Sequence, residues 1–180
     1  MILISIVSFT LLSWYFIFQP DFKTPDFDLN LKSKYLTLAS HLFFALLSTY
    51  VIHSIVQFYL LFALLFCSLT DSYKRFIYPI ILIPSILIGF CQYEFFAPDL
   101  TIGTLTLLAL LISVRFKKMG LGDSFIYLAM GVNSSFETAN YSLIIACLIL
   151  VGCHYNNLKS EHPFVPYLVL GFLITLLLDL

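Results

Sequence analysis

Charge is what this chain has least of. Asp, Glu, Lys and Arg make up 11% of its 180 residues, against roughly 25% in soluble domains. So sparse a set cannot cover a water-facing surface, which argues against a soluble globular domain. The few basic residues form no patch interleaved with aromatics, so no nucleic-acid partner is expected. The four cysteines, Cys67, Cys91, Cys147 and Cys153, stand singly in apolar runs with no Cys-x-x-Cys pair. That spacing offers no zinc or redox motif, and small buried hydrophobes are the plain reading. The first apolar run lacks both a preceding basic residue and a small-residue cleavage site, so a cleaved signal peptide is not expected. Internal repeats and low-complexity segments are missing too.

What the chain has is apolar length: 61% hydrophobic residues and a mean hydropathy of +0.99. This reads as an all-α, polytopic membrane helix bundle, one membrane-embedded domain over residues 1–180. A crossing takes roughly 20 residues. Span one is residues 1–19, and residues 20–35 form a polar first loop. Residues 36–70 are too long for one crossing and divide at His53, Ser54 and Gln57 into spans two and three. A short basic turn, residues 71–76, precedes span four at 77–96, in which Pro84 should kink the helix. Span five covers 101–114, span six 123–132, span seven 141–153 and span eight 163–180.

The charges test this division. Lys23, Lys32 and Lys34 fall between spans one and two, and Lys74 and Arg75 between three and four. Arg115, Lys117 and Lys118 fall between five and six, and Lys159 between seven and eight. These are all nine Lys and Arg of the chain. The intervening loops hold His53, Glu94, Asp99 and Glu137, for which solvated charge is the ordinary reading. The positive-inside rule then puts the basic loops in the cytoplasm and both termini outside.

Two acids now share a side. Asp71 ends span three and Asp123 opens span six, both at the cytoplasmic edge. An acid at such a boundary is a functional candidate, although an ordinary helix cap gives the same pattern. As a pair they suit hydrolysis. One ionised carboxylate takes a proton from water while the other, protonated, donates to the carbonyl under attack, and close like charges hold one shared proton. No metal or cofactor is needed. Helix ends suggest Asp123 as base, at the positive end of a macrodipole, and Asp71 as acid, at a negative one. Gly120 and Gly122 can reach positive φ and let an extended substrate approach.

The run Gly120-Leu121-Gly122-Asp123, leading to Met130-Gly131, resembles the second motif of the type IV prepilin leader peptidases, membrane aspartic proteases of the Gly-x-Gly-Asp class. Asp71-Ser72-Tyr73-Lys74-Arg75-Phe76-Ile77-Tyr78-Pro79 resembles the first, with its proline one residue later than the usual Ile-Pro. Pro163-Phe164-Val165-Pro166-Tyr167-Leu168-Val169-Leu170-Gly171 looks like the family's approach to the last span. The likeness covers residues 36–180. Preflagellin peptidases and presenilin-like enzymes share Gly-x-Gly-Asp, and the flanking motifs favour prepilin peptidase.

The resemblance implies an aspartic endopeptidase of the bacterial plasma membrane. It would cut leaders from type IV prepilins or pilin-like pseudopilins at the cytoplasmic face; the many Phe, Ile and Tyr residues suggest an AT-rich bacterial genome, in which competence pseudopilins would be the expected substrates. Its partners would be the bilayer and the substrate helix. Asp71 and Asp123 would be catalytic, with Gly120 and Gly122 positioning backbone or substrate. Members that also methylate the new N-terminus often carry Cys-x-x-Cys pairs in a larger first loop. Residues 20–35 have no cysteine, which points to a minimal, peptidase-only form.

The rival reading is a small proton- or cation-coupled transporter or channel subunit using the same two acids, though transporter sites usually lie near the midplane. A third is a non-catalytic assembly protein. His41 reads as an interhelical hydrogen bond, and His154 and His162 are too far apart in sequence for a metal pair on one helix.

Overall fold

The computed structural model describes residues 54–74, 76–93, 99–116, 119–155 and 162–179. Spans one and two, the 20–35 loop, His41, His53, Glu94, Lys117, Lys118 and Lys159 lie outside them. The described residues form six α-helices and no strand. These are α1 (Ile55–Lys74), α2 (Ile83–Gln92), α3 (Asp99–Arg115), α4 (Leu121–Asn133), α5 (Phe136–His154) and α6 (Val165–Leu178), with a 3-10 turn (Pro79–Ile81) ahead of α2. The all-α expectation is met.

Helix α4 is the centre, touching α1, α2, α3 and α5, while α6 packs against α1 and most extensively against α5. Eight of the 13 residues of α4 are buried, among them Ile126, Tyr127, Ala129 and Met130. A helix apolar on all sides belongs inside a bundle. Around it apolar side chains lie on the outside as well as in the core. Ile102, Leu105, Leu108 and Ile112 of α3, with Ile144 and Leu148 of α5, are exposed, while Ser85, Ser142 and Thr175 are fully buried. By length and composition α5 is apolar enough to cross a membrane.

Small and polar residues hold the helices together, as expected where apolar burial discriminates little between neighbours. Ser142 Oγ donates to the Thr138 carbonyl at 2.6 Å and to Thr175 Oγ1 at 3.3 Å. Gly171 lets α6 lie directly on the Ser142 carbonyl of α5. Asn133 Nδ2 of α4 donates to the Ser85 carbonyl of α2 at 3.0 Å. The Phe136 ring fills the space that side chains at Gly103 and Gly131 would take.

Three expectations are corrected. Pro84 kinks nothing. Pro79 opens the 3-10 turn and Pro84 lies in the first turn of α2, where a missing N–H costs no helical bond. Asp99 is not a merely solvated charge: it accepts the Phe136 N–H at 2.7 Å and the Tyr93 hydroxyl at 2.8 Å, tying the start of α3 to the start of α5. Of the cysteines only Cys67 is buried. Cys91, Cys147 and Cys153 are exposed, because the outer faces of these helices are as apolar as the inner ones.

The α5–α6 contact yields a test. Gly171→Val must push α6 off the Ser142 carbonyl, lowering stability by about 1–3 kcal/mol. Thermal unfolding in detergent should show a lower midpoint. Gly152→Ala, with nothing within 4 Å of the added carbon, should not lower it.

Candidate active site

Helix α1 runs one turn further than the apolar pattern, so Asp71 lies in its last turn rather than after its end. Asp123 lies in the first turn of α4. The two are 9% and 6% exposed, and their carboxyls are close enough for the charges to interact. Helices α1 and α4 pack against each other. The acids are thus neighbours, although 52 positions separate Asp71 from Asp123 in the chain.

Burying a carboxylate is costly unless donors meet it, and backbone amides do so here. Asp123 Oδ2 accepts the Gly120 N–H at 3.1 Å, and the Asp123 N–H donates to the Gly120 carbonyl at 3.2 Å. The first bond is half of a capping box, in which an acid three residues into a helix reaches back to its start; the second is a backbone turn bond, since glycine has no side chain to complete the box. Asp71 Oδ2 accepts the Val165 N–H at 3.0 Å. Val165 is the first residue of α6, where main-chain N–H groups have no intrahelical partner. Asp71 therefore caps a helix 94 residues away in sequence.

That bond removes the asymmetry on which the assignment of acid and base rested. Asp71 stands in the last turn of α1, but its carboxylate meets the N-terminal end of α6. Each acid then faces the positive end of one helix dipole, and helix ends no longer tell the two apart.

The glycines act differently from expectation. No described glycine has positive φ; Gly120 is extended at φ −79°, ψ 144°. What both provide is room. A Cβ on Gly120 would stand 3.2 Å from Asp123 Oδ2, and one on Gly122 would stand 2.6 Å from the Ile77 Cβ. Ile77 belongs to the extended stretch after α1, ending at Tyr78 with φ −95° and ψ 93°. Gly122 thus lets the chain beyond Asp71 pack against the turn that carries Asp123. The Tyr59 hydroxyl donates to the Ile81 carbonyl at 3.0 Å, tying the following turn back to α1.

Sequence reading missed Val165, Ile77 and the histidine contact. The His154 and His162 rings stack with centroids 3.7 Å apart, and His154 Nε2 and the Tyr167 hydroxyl share a 2.7 Å hydrogen bond. Prolines at 163 and 166 were the usable signal for Val165, because they mark a helix start whose open N–H groups seek an acceptor. Nothing in the sequence announces Ile77 opposite Gly122. Among the described residues no group of three or more His, Cys, Asp or Glu is placed to hold a metal ion.

Gly122→Ala should displace Ile77 and destabilise the protein by about 1–3 kcal/mol, and adding Ile77→Gly, which removes the Cβ that the new methyl meets, should recover part of the loss. Unfolding midpoints of the two variants and of the double variant check this.

Comparison with known proteins finds no matching family model, curated protein or solved structure.

Proposed function

We propose that this chain is a multi-pass membrane aspartic endopeptidase that removes leader peptides from type IV prepilins or pseudopilins at the cytoplasmic face. The observation that carries the reading is the buried pair Asp71 and Asp123, neighbours on two packed helices and each met by a backbone N–H. Eight spans with every basic residue on one side supply the membrane frame. The exposed apolar side chains of α3 and α5 suit a lipid surround.

The chemistry follows from one proton shared between two carboxyls. The ionised member removes a proton from a water molecule as its oxygen bonds to the scissile carbonyl carbon, while the protonated member gives its proton to the carbonyl oxygen. The tetrahedral diol then collapses, the C–N bond breaks, and the amine leaves with a proton returned by the pair. No covalent nucleophile is consumed. A pilin leader ends at the start of an apolar helix, so a substrate lying in the bilayer presents its scissile bond at the depth of the two acids.

Asn keeps a hydrogen-bond acceptor for the Val165 and Gly120 amides while removing the acid, so Asp71→Asn and Asp123→Asn are the informative variants. Each should lower leader cleavage of a co-expressed prepilin by at least roughly 100-fold, read by gel shift and N-terminal sequencing. Cleavage that survives either change sinks the dyad. A wild-type protein that cuts no pilin-like precursor, but carries protons or cations through Asp71 and Asp123, establishes the transporter reading instead.

A further inference from the structure

We propose that His154 is a positioning residue for Asp71, acting through the first turn of α6. The inference rests on the peptidase reading for its catalytic consequence but not for its geometry. Val165, whose N–H donates to Asp71 Oδ2, lies between two residues that both engage His154. Three residues before it, His162 stacks on the His154 ring at 3.7 Å with the planes 25° apart. Two residues after it, the Tyr167 hydroxyl shares a 2.7 Å hydrogen bond with His154 Nε2. The Tyr167 ring also stands edge-on to the imidazole, at 89°.

The physical need for such a bracket is visible in the segment it holds. Residues 162–164 belong to no helix, and the residue before Val165, Phe164, offers no side-chain cap. Pro166 has no N–H of its own, so the Val165 amide is the one donor of these two positions. A single N–H···O bond keeps its strength only while its angle holds, so drift of this turn would weaken it. His154 stands at the last position of α5, and α5 is the helix packed most closely on α6. Its imidazole ties segment 162–167 to that frame on both sides of the amide. With Oδ2 held by the Val165 amide, the orientation of the Asp71 carboxyl depends on where that turn stands. His154 does not itself contact the Asp71 carboxyl; it fixes the turn whose amide orients that carboxyl.

Two readouts on full-length protein in detergent test this, one without substrate. The infrared band of the Asp71 carboxyl is isolated by subtracting the spectrum of Asp71→Asn. It should move in His154→Ala and Tyr167→Phe, and return toward the wild-type position in His154→Gln, which keeps a polar atom near Tyr167. Prepilin cleavage by the first two variants should lose kcat on the order of 10- to 100-fold, with KM nearly unchanged. Tyr167→Phe removes one hydroxyl only and keeps the test open if His154→Ala misfolds. An Asp71 band that stays put in both variants overturns the proposal whatever cleavage does. A band that moves while kcat holds overturns its catalytic consequence. A band that moves in a protein whose wild-type form cuts no prepilin supports the positioning geometry and rejects the peptidase reading.

Discussion

Two carboxylates cannot stay buried in an apolar bundle unless something donates to them, and here helix starts supply the donors. That requirement organises much of the fold. Asp71 fixes where α6 begins, because the Val165 amide must reach it. Asp123 fixes where α4 begins, because its carboxylate hooks the Gly120 N–H. The first of these bonds ties α1 to α6, and the second is local to the start of α4. Helix α4, which carries one acid, packs against α1, which carries the other.

Around these ends the bundle combines a buried apolar core with polar and small-residue contacts between helices. Apolar side chains face outward on α3 and α5 while serines and threonines are buried. Apolar surface therefore does not by itself select which helices pair. Selection falls to glycines that admit a neighbour, as Gly171 admits the Ser142 carbonyl, and to polar side chains that bridge two helices, as Asn133 bridges to Ser85. At the end of α5 away from His154, Asp99 and Phe136 do both jobs within one cluster. The carboxylate caps α5, and the ring occupies the space left by two glycines on separate helices.

Much of this was legible in the sequence, and the boundary of what was legible has a physical cause. Each apolar run from span three to span eight contains one described helix, because apolar length and charge spacing are properties of a single stretch of chain. The distribution of charge led to the expectation that Asp71 and Asp123 share one side of a bilayer, but no single stretch of sequence shows that their helices pack together. What failed to show was pairwise. Pro84 looks like a kink until the helix is known to begin beside it. Gly120 and Gly122 look like conformational hinges until the Asp123 carboxylate and Ile77 are seen against them. Asp99 looks solvated until Tyr93 and Phe136 are found at its oxygens. His154 and His162 look unrelated because the seven residues between them conceal how the chain returns on itself.

Each acid of the pair carries a second duty, as the cap of a helix. Natural selection for folding alone would therefore act on positions 71 and 123, whatever the chemistry of the pair. It would accept Asn there, which offers the same oxygen to the waiting amide, and resist Ala or Val. Among descendants of such a chain, free exchange of Asp for Asn at both positions would be the mark of capping alone, and exclusion of Asn the mark of a demand beyond the fold.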